Sequence, residues 1–188
     1  MAEHVILFTG PMGAGKSTAI RSLSEVEVIS TEANNSERHI VDKATTTVAL
    51  DYGEITLSTE EKIRMYGTPG QNRFDFMWTI LKKRAEGMVL LVNNDAPDGI
   101  AQMLAFMDEF SELCGNGGVV IGLTRTDLAP LPTTSDYARA LAEVHPELTV
   151  PIFTLDPRDK GLMQMALLTL VVNLEMRATF GQAGVEQV

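Results

Sequence analysis

The order of apolar and polar positions divides the chain into alternating strands and helices. His4-Val5-Ile6-Leu7-Phe8 is a short apolar run of strand-forming residues, followed directly by the glycine-rich stretch Gly10 to Thr18. Ala19-Ile20-Arg21-Ser22-Leu23 then continues at helical spacing, so the segment predicts strand, glycine loop and helix. Residues 30–45 are polar and aperiodic, which predicts a mobile loop, and they run into the triplet Thr45-Thr46-Thr47. Apolar positions at Leu50, Tyr52, Ile55 and Leu57, a polar turn at Ser58-Thr59-Glu60-Glu61 and the run Lys62 to Tyr66 predict a hairpin, with Asp51 in the body of its first strand. Gly67-Thr68-Pro69-Gly70-Gln71 interrupts the pattern, and a helical segment is expected from there to about Arg84. Met88 to Val92, Val119 to Leu123 and Val150 to Phe153 read as further strands, with helices over about 99–113 and 134–144 between them. Residues 160–178 form the closing helix, and the polar stretch from Thr179 onward is expected to fray.

Continuous apolar strands separated by helices indicate an α/β fold: a mostly parallel sheet with helices on both faces and the hairpin strand as its antiparallel edge. Ligands of such sheets bind beyond the carboxyl ends of the strands. At 188 residues and 45% apolar content, one domain over residues 1–178 with a tail at 179–188 accounts for the chain.

The stretch from Gly10 to Gly15-Lys16-Ser17 matches G-x-x-x-x-G-K-[ST] between a strand and a helix, the context that gives this spacing its meaning. Glycines at 10, 13 and 15 let backbone N–H groups converge on phosphate oxygens, together with those of Met12, Ala14 and Thr18. Lys16 is expected at the β- and γ-phosphates and Ser17 at Mg²⁺ through its hydroxyl. The fold class is therefore that of a P-loop NTPase.

Charge and cysteine content narrow the partners. Fifteen Lys and Arg against 25 Asp and Glu give −10, with no basic stripe for a nucleic-acid backbone. Cys114 is the sole cysteine and no signal-peptide pattern opens the chain, which suits the cytoplasm. The apolar stretch Leu162 to Leu174 carries Gln164, Thr169 and Asn173 and reads as a core helix, not a membrane span. Without Gly at position 2 or a C-terminal Cys, the usual lipid anchors are not expected, and membrane recruitment would need a partner. His4, His39 and His145 show no metal spacing, and the ten methionines read as core filler.

By itself the loop Gly-Pro-Met-Gly-Ala-Gly-Lys-Ser-Thr looks much like that of shikimate kinases, which makes a small-molecule kinase the rival reading. Those enzymes carry a Gly-Gly-Gly turn for their acceptor, and this chain has none. Thr47, Gly67-Thr68-Pro69-Gly70-Gln71, Thr124-Arg125-Thr126-Asp127 and Asp156-Pro157-Arg158 stand at strand ends in the order of the G-boxes of Ras-like small GTPases. Over about residues 4–178 the chain resembles that family, and in particular the bacterial branch of gliding-motility and conservon GTPases encoded beside roadblock proteins. Thr-Thr-Val-Ala-Leu-Asp-Tyr-Gly and Tyr-Gly-Thr-Pro-Gly-Gln-Asn-Arg-Phe carry the closer resemblance.

The resemblance implies a GTP/GDP switch. Asp127 would accept hydrogen bonds from guanine N1–H and N2–H₂, which adenine does not offer. Arg125, where the family usually has Lys, would stack on the base, and Arg158 would flank it from the other side, with an ordinary surface ion pair as the alternative. Thr124 stands where Asn is usual, and Asp156 opens the last box. Thr47, with Thr46 one register step away, is the expected switch threonine for Mg²⁺ and γ-phosphate. Gly70 would be among the nucleotide-binding residues, and Gln71, directly after it, would position water. Gly67 departs from the family, which carries an Asp there to hold Mg²⁺ through water. Asp51, read as mid-strand, is not expected to replace it, so weaker coupling to Mg²⁺ is anticipated. Arg38 and Arg73 are the candidate internal arginine fingers, turnover is expected to be slow, and a GTP-binding scaffold without turnover stays open. Phe74, Phe76, Met77 and Trp78 crowd more large apolar residues into five positions than one buried stripe needs, which suggests docking of a roadblock-type or other regulatory protein in the GTP state.

Overall fold

A computed structural model describes residues 2–30, 50–56, 61–68, 80–115 and 118–183. The elements in order are β1 (Ala2–Thr9), α1 (Lys16–Leu23), β2 (Ile29–Ser30), β3 (Asp51–Thr56), β4 (Glu61–Gly67), β5 (Gly87–Asn93), α2 (Gly99–Glu109), α3 (Ser111–Gly115), β6 (Val119–Thr124), α4 (Thr134–Val144), β7 (Ile152–Thr154) and α5 (Lys160–Ala183). The seven strands lie in the order β2-β3-β4-β1-β5-β6-β7. β1 pairs in parallel with β4 and β5, and β5, β6 and β7 continue in parallel. β3 is the antiparallel strand of the expected hairpin, paired from Asp51 opposite Gly67 to Thr56 opposite Lys62. It is not quite the edge: the two-residue β2 pairs antiparallel beside it.

The pleat sends neighbouring residues of each strand to opposite faces, and each face acquires its own core. Ile6, Phe8, Val89 and Leu91 pack with Ile20 and Leu23 of α1 and Met163, Leu167 and Leu170 of α5. Leu7, Met88, Leu90 and Val92 face the other way, onto Met103 and Met107 of α2 and Tyr137 and Leu141 of α4. Every residue of β5 and β6 is buried, as strands covered on both faces must be. The mixed parity of the hairpin has the same cause. Ile55 packs toward α1, whereas Leu50 lies against the opposite core.

The helix expected over 99–113 is two helices, broken at Phe110, whose side chain is fully buried. α4 starts at a capping box, in which Asp136 N–H donates to the Thr133 hydroxyl and Thr133 N–H donates to the Asp136 carboxylate. The closing helix runs to Ala183, beyond the fraying point expected near Thr179. Among the described residues no helix is long and apolar enough to cross a membrane.

Candidate nucleotide-binding site

The phosphate loop joins β1 to α1 at the carboxyl end of the parallel strands, where the fold leaves a crevice. Two of its glycines are dictated by close approach. At Gly10, with φ +133°, a Cβ would stand 2.0 Å from the Leu91 carbonyl oxygen, and at Gly15, with φ +94°, one would stand 2.6 Å from Pro157 Cγ. The loop is thus clamped between β5 and the β7–α5 connection. α1 begins at Gly15 with no side-chain cap and no acidic residue in its first turn, which leaves its first N–H groups for an anion. Met12 lies exposed at the loop tip, and Ala14 is buried.

Lys16 is only 9% exposed and folds back over the loop, where Nζ donates to the Gly10 and Pro11 carbonyls at 2.7 Å each. Burial lowers its pKa to about 8, against the opposing pull of the Asp51 carboxylate. A cation held in this way, beside a row of N–H donors, is prepared for phosphate.

Asp51 corrects the expectation drawn from the strand pattern. It is the first residue of β3, directly opposite Gly67, and its carboxylate accepts a short hydrogen bond from the Ser17 hydroxyl. The other carboxylate oxygen, Oδ1, is buried and has no hydrogen-bond partner among the described residues. A Cβ at Gly67 would meet Asp51 Cβ and Oδ2 at 3.2 Å each, so the two positions share one volume. Asp51 thus places a carboxylate, from across the ladder, in the volume that a side chain at Gly67 would occupy. Hydroxyl, carboxylate and an unsatisfied acidic oxygen at the start of α1 are the hard oxygen donors that Mg²⁺ takes, and they fit that ion.

A second cleft opens between this loop and the β6–α4 and β7–α5 loops, lined by Gly13, Thr18, Arg125, Asp127, Asp156 and Arg158 among others. Thr124 is buried at the end of β6, and its hydroxyl donates to the Val92 carbonyl at 3.2 Å and to Asn93 Oδ1 at 3.3 Å. The Asn93 amide in turn donates to the Met12 carbonyl at 3.4 Å. Arg125, at φ +60°, donates to the Gly13 carbonyl at 3.0 Å and pairs with Asp95 at 3.1 Å. Two side chains therefore tie the second cleft to the phosphate loop. Arg158 is held by its neighbour Asp156, whose carboxylate accepts from the Arg158 backbone N–H at 2.9 Å and from its guanidinium at 2.7–3.2 Å. This pair brings the Asp156 carboxyl down to about 2. The surface ion pair expected as the alternative for Arg158 is thus present, at the rim of the cleft. Asp127 also lines the cleft and accepts no hydrogen bond from the described residues, while its charge is felt by Arg158.

The fold thus brings Gly10, Met12, Gly13, Ala14, Gly15, Lys16, Ser17 and Thr18 together with Thr124, Arg125, Asp127, Asp156 and Arg158. Thr46, Thr47, Gly70, Gln71, Arg38, Arg73 and the cluster from Phe74 to Trp78 lie outside the described residues. Asn93 and Asp95 are site residues that the motifs do not contain, while Pro157 and Asp51 stand inside the segments that carry the resemblance but have no expected role at the site. Asn93 and Asp95 carried one legible signal: polar residues at the carboxyl end of a wholly apolar strand stand where ligands of such sheets bind.

A family model described as "Conserved hypothetical ATP binding protein" matches residues 26–141, more than half of the chain. The chain belongs to that family. It is a nucleotide-binding protein, and the phosphate loop at residues 10–18, which precedes the matched segment, adds geometry of the same kind. An archaeal relative, the uncharacterized protein MJ1339 of Methanocaldococcus jannaschii, is 31% identical over 93 residues, 48% of this chain. The match spans 56% of that relative's length.

Proposed function

We propose that this member of the ATP-binding family is a guanine-nucleotide switch: it binds GTP with Mg²⁺, hydrolyses it slowly and presents a GTP-dependent surface to a partner. One observation carries the choice of base. The Asp127 carboxylate lines the cleft next to the phosphate loop with no hydrogen bond from the described residues, so it is free to accept two from guanine N1–H and N2–H₂. Adenine presents no such pair of donors, and its N1 lone pair would face the carboxylate.

Each side chain has a separable task. The N–H groups of the loop and α1 receive the phosphates, and Lys16 exchanges its two carbonyl acceptors for phosphate oxygens. Ser17 and Asp51 would hold Mg²⁺. When bound, the cation neutralises charge on the β- and γ-phosphates. Arg125 and Asn93 keep the base loop in register with the phosphate loop. By the resemblance, Thr47 would contact Mg²⁺ and the γ-phosphate, Gly70 would help bind the nucleotide and Gln71 would position water, and the partner would be a roadblock-type or other regulatory protein docking near Phe74 to Trp78.

Adenine is the second reading, favoured by the family's description. Asp127→Asn separates the two, because an amide can donate to the O2 carbonyl of xanthine. The guanine reading expects this variant to lose GTP and gain xanthosine triphosphate. An Asp127→Asn protein that keeps its nucleotide preference unchanged refutes it. Single-turnover hydrolysis then divides switch from scaffold, since label retained overnight as triphosphate belongs to a scaffold.

A further inference from the structure

β5 runs out into two consecutive asparagines, and the alternation of the strand carries on through both. Val89 and Leu91 face α1 and α5, whereas Leu90 and Val92 face α2 and α4. Asn93 follows the first set and reaches the phosphate loop. Asn94 follows the second, and its backbone N–H donates to the Thr124 carbonyl at 2.9 Å, which carries the β5–β6 pairing one step further. The Asn94 side chain is 2% exposed and donates to the carbonyls of Ala129 at 2.7 Å and Pro132 at 3.0 Å. Both acceptors belong to the loop 125–132, which carries Asp127 into the cleft.

That loop has no anchor of its own in the core. After Thr124 at the end of β6, the next buried residue is Tyr137 in α4, and Leu128 and Leu131 point outward at 69% and 68% exposure. The N–H groups of Leu128 and Ala129 both donate to the Arg125 carbonyl at 3.1 Å, a turn that ties the loop only to itself. Arg125 holds its first residue to Gly13 and Asp95, and the capping box of α4 begins just after its last. Between these ends, the hydrogen bonds that fix the loop to the sheet, among the described residues, come from Asn94. An amide suits the task because its two N–H hydrogens divide between two carbonyls. A carboxylate of the same shape would offer them acceptors only, and a hydroxyl a single hydrogen. The amide oxygen Oδ1 is buried with no hydrogen-bond partner among the described residues, an arrangement that costs stability. What the residue gives in return is the position of the loop.

We infer that Asn94 is a positioning residue for base recognition, an inference that rests on the guanine reading above. It does not line the cleft and acts through the loop, setting the distance and direction of the Asp127 carboxylate relative to the phosphate loop. The paired hydrogen bonds from guanine depend on both, so they are lost when the loop shifts, while the phosphate contacts at Gly13 and Lys16 persist. The two asparagines thus divide the site, Asn93 serving the phosphate loop and Asn94 the base loop.

Titration with a ribose-labelled fluorescent GTP in Mg²⁺, and competition by unlabelled GTP, ATP and inorganic tripolyphosphate, test the inference. Asn94→Ala should lose GTP affinity about 10- to 100-fold, the worth of one or two neutral hydrogen bonds, and keep wild-type affinity for tripolyphosphate. The loss should vanish in an Asp127→Ala background, where the loop has no acceptor left to aim. An unchanged preference for GTP over ATP, an equal loss for tripolyphosphate, or a loss that persists undiminished beside Asp127→Ala overturns the inference and leaves the guanine reading standing. A wild-type protein that binds GTP and ATP equally refutes the guanine reading and this inference with it. Should Asn94→Ala fail to fold, Asn94→Ser, which keeps one donor, takes its place and should show a smaller loss of the same pattern.

Discussion

If Asp51 supplies the carboxylate that Gly67 lacks, moving it back across the ladder should restore what removing it destroys. Asp51→Asn keeps the shape of the side chain and loses the charge that would face the metal. A hydrogen bond or contact involving a charged group is worth about 1.5–3 kcal/mol, so the Mg²⁺ concentration for half-maximal GTP binding should rise about 10- to 150-fold. Gly67→Asp alone should also be harmful, for a different reason. Its Cβ would sit 3.2 Å from both Asp51 Cβ and Oδ2 and 3.1 Å from Ile20 Cδ1, an overpacked position that costs about 1–3 kcal/mol before the repulsion of two carboxylates is added. Combining Asp51→Gly with Gly67→Asp removes both contacts with residue 51, leaves only the one with the flexible Ile20 side chain and returns one carboxylate to the same volume. The double variant should therefore bind Mg²⁺·GTP better than Asp51→Asn and melt higher than Gly67→Asp. Titrating Mg²⁺ against a fluorescent nucleotide, with a melting curve for each variant, reads both effects. Unaltered Mg²⁺ dependence in Asp51→Asn refutes the reasoning, and additive damage in the double variant refutes the shared volume.

Two further outcomes follow from the same geometry. Lys16 has a folded-state pKa of about 8 against an ordinary 10.5, so between those values the unfolded chain holds a proton that the folded chain has lost. Stability of the nucleotide-free protein should rise with pH across that window, by about 3 kcal/mol at most, and Lys16→Met should flatten the rise. Calorimetry at pH 8–9 in buffers of different ionisation enthalpy should show proton uptake on triphosphate binding, since phosphate restores the ammonium form. Asn93→Ala removes the link between Met12 and Thr124 and should weaken nucleotide affinity about tenfold, roughly one hydrogen bond's worth, with little change in melting temperature. An affinity equal to wild type would show that the link positions nothing.

The contrast between Lys16 and Asp51 explains what a sequence of this kind discloses. The phosphate loop is legible because its chemistry is local: one strand, one turn and one helix hold Gly10 to Thr18, and the spacing alone states the conformation. Asp51 depends on register. Its distance from Ser17 is set by the pairing of β3 with β4, where a slip of one residue would turn it to the opposite face. A signal existed in the two-residue alternation of Asp51, Gly53 and Ile55, which share a face, and Ile55 marks that face as the one under α1. The break at Phe110 was hidden because 99–113 keeps helical spacing through it. The continuation of α5 to Ala183 runs against a polar, glycine-containing sequence that reads as a tail.

Base preference is the claim on which the proposed switch rests, and competition measures it directly. The wild-type protein is loaded with a fluorescent guanine nucleotide in Mg²⁺ and titrated with unlabelled GTP or ATP. Asp127 is exposed in the cleft, and a site that pairs it with guanine N1–H and N2–H₂ should prefer GTP by roughly 10⁴-fold, because an adenine base would cover the carboxylate without supplying it a donor. Displacement by ATP at the same concentration as GTP would contradict the guanine assignment and leave an ATP-binding protein in its place.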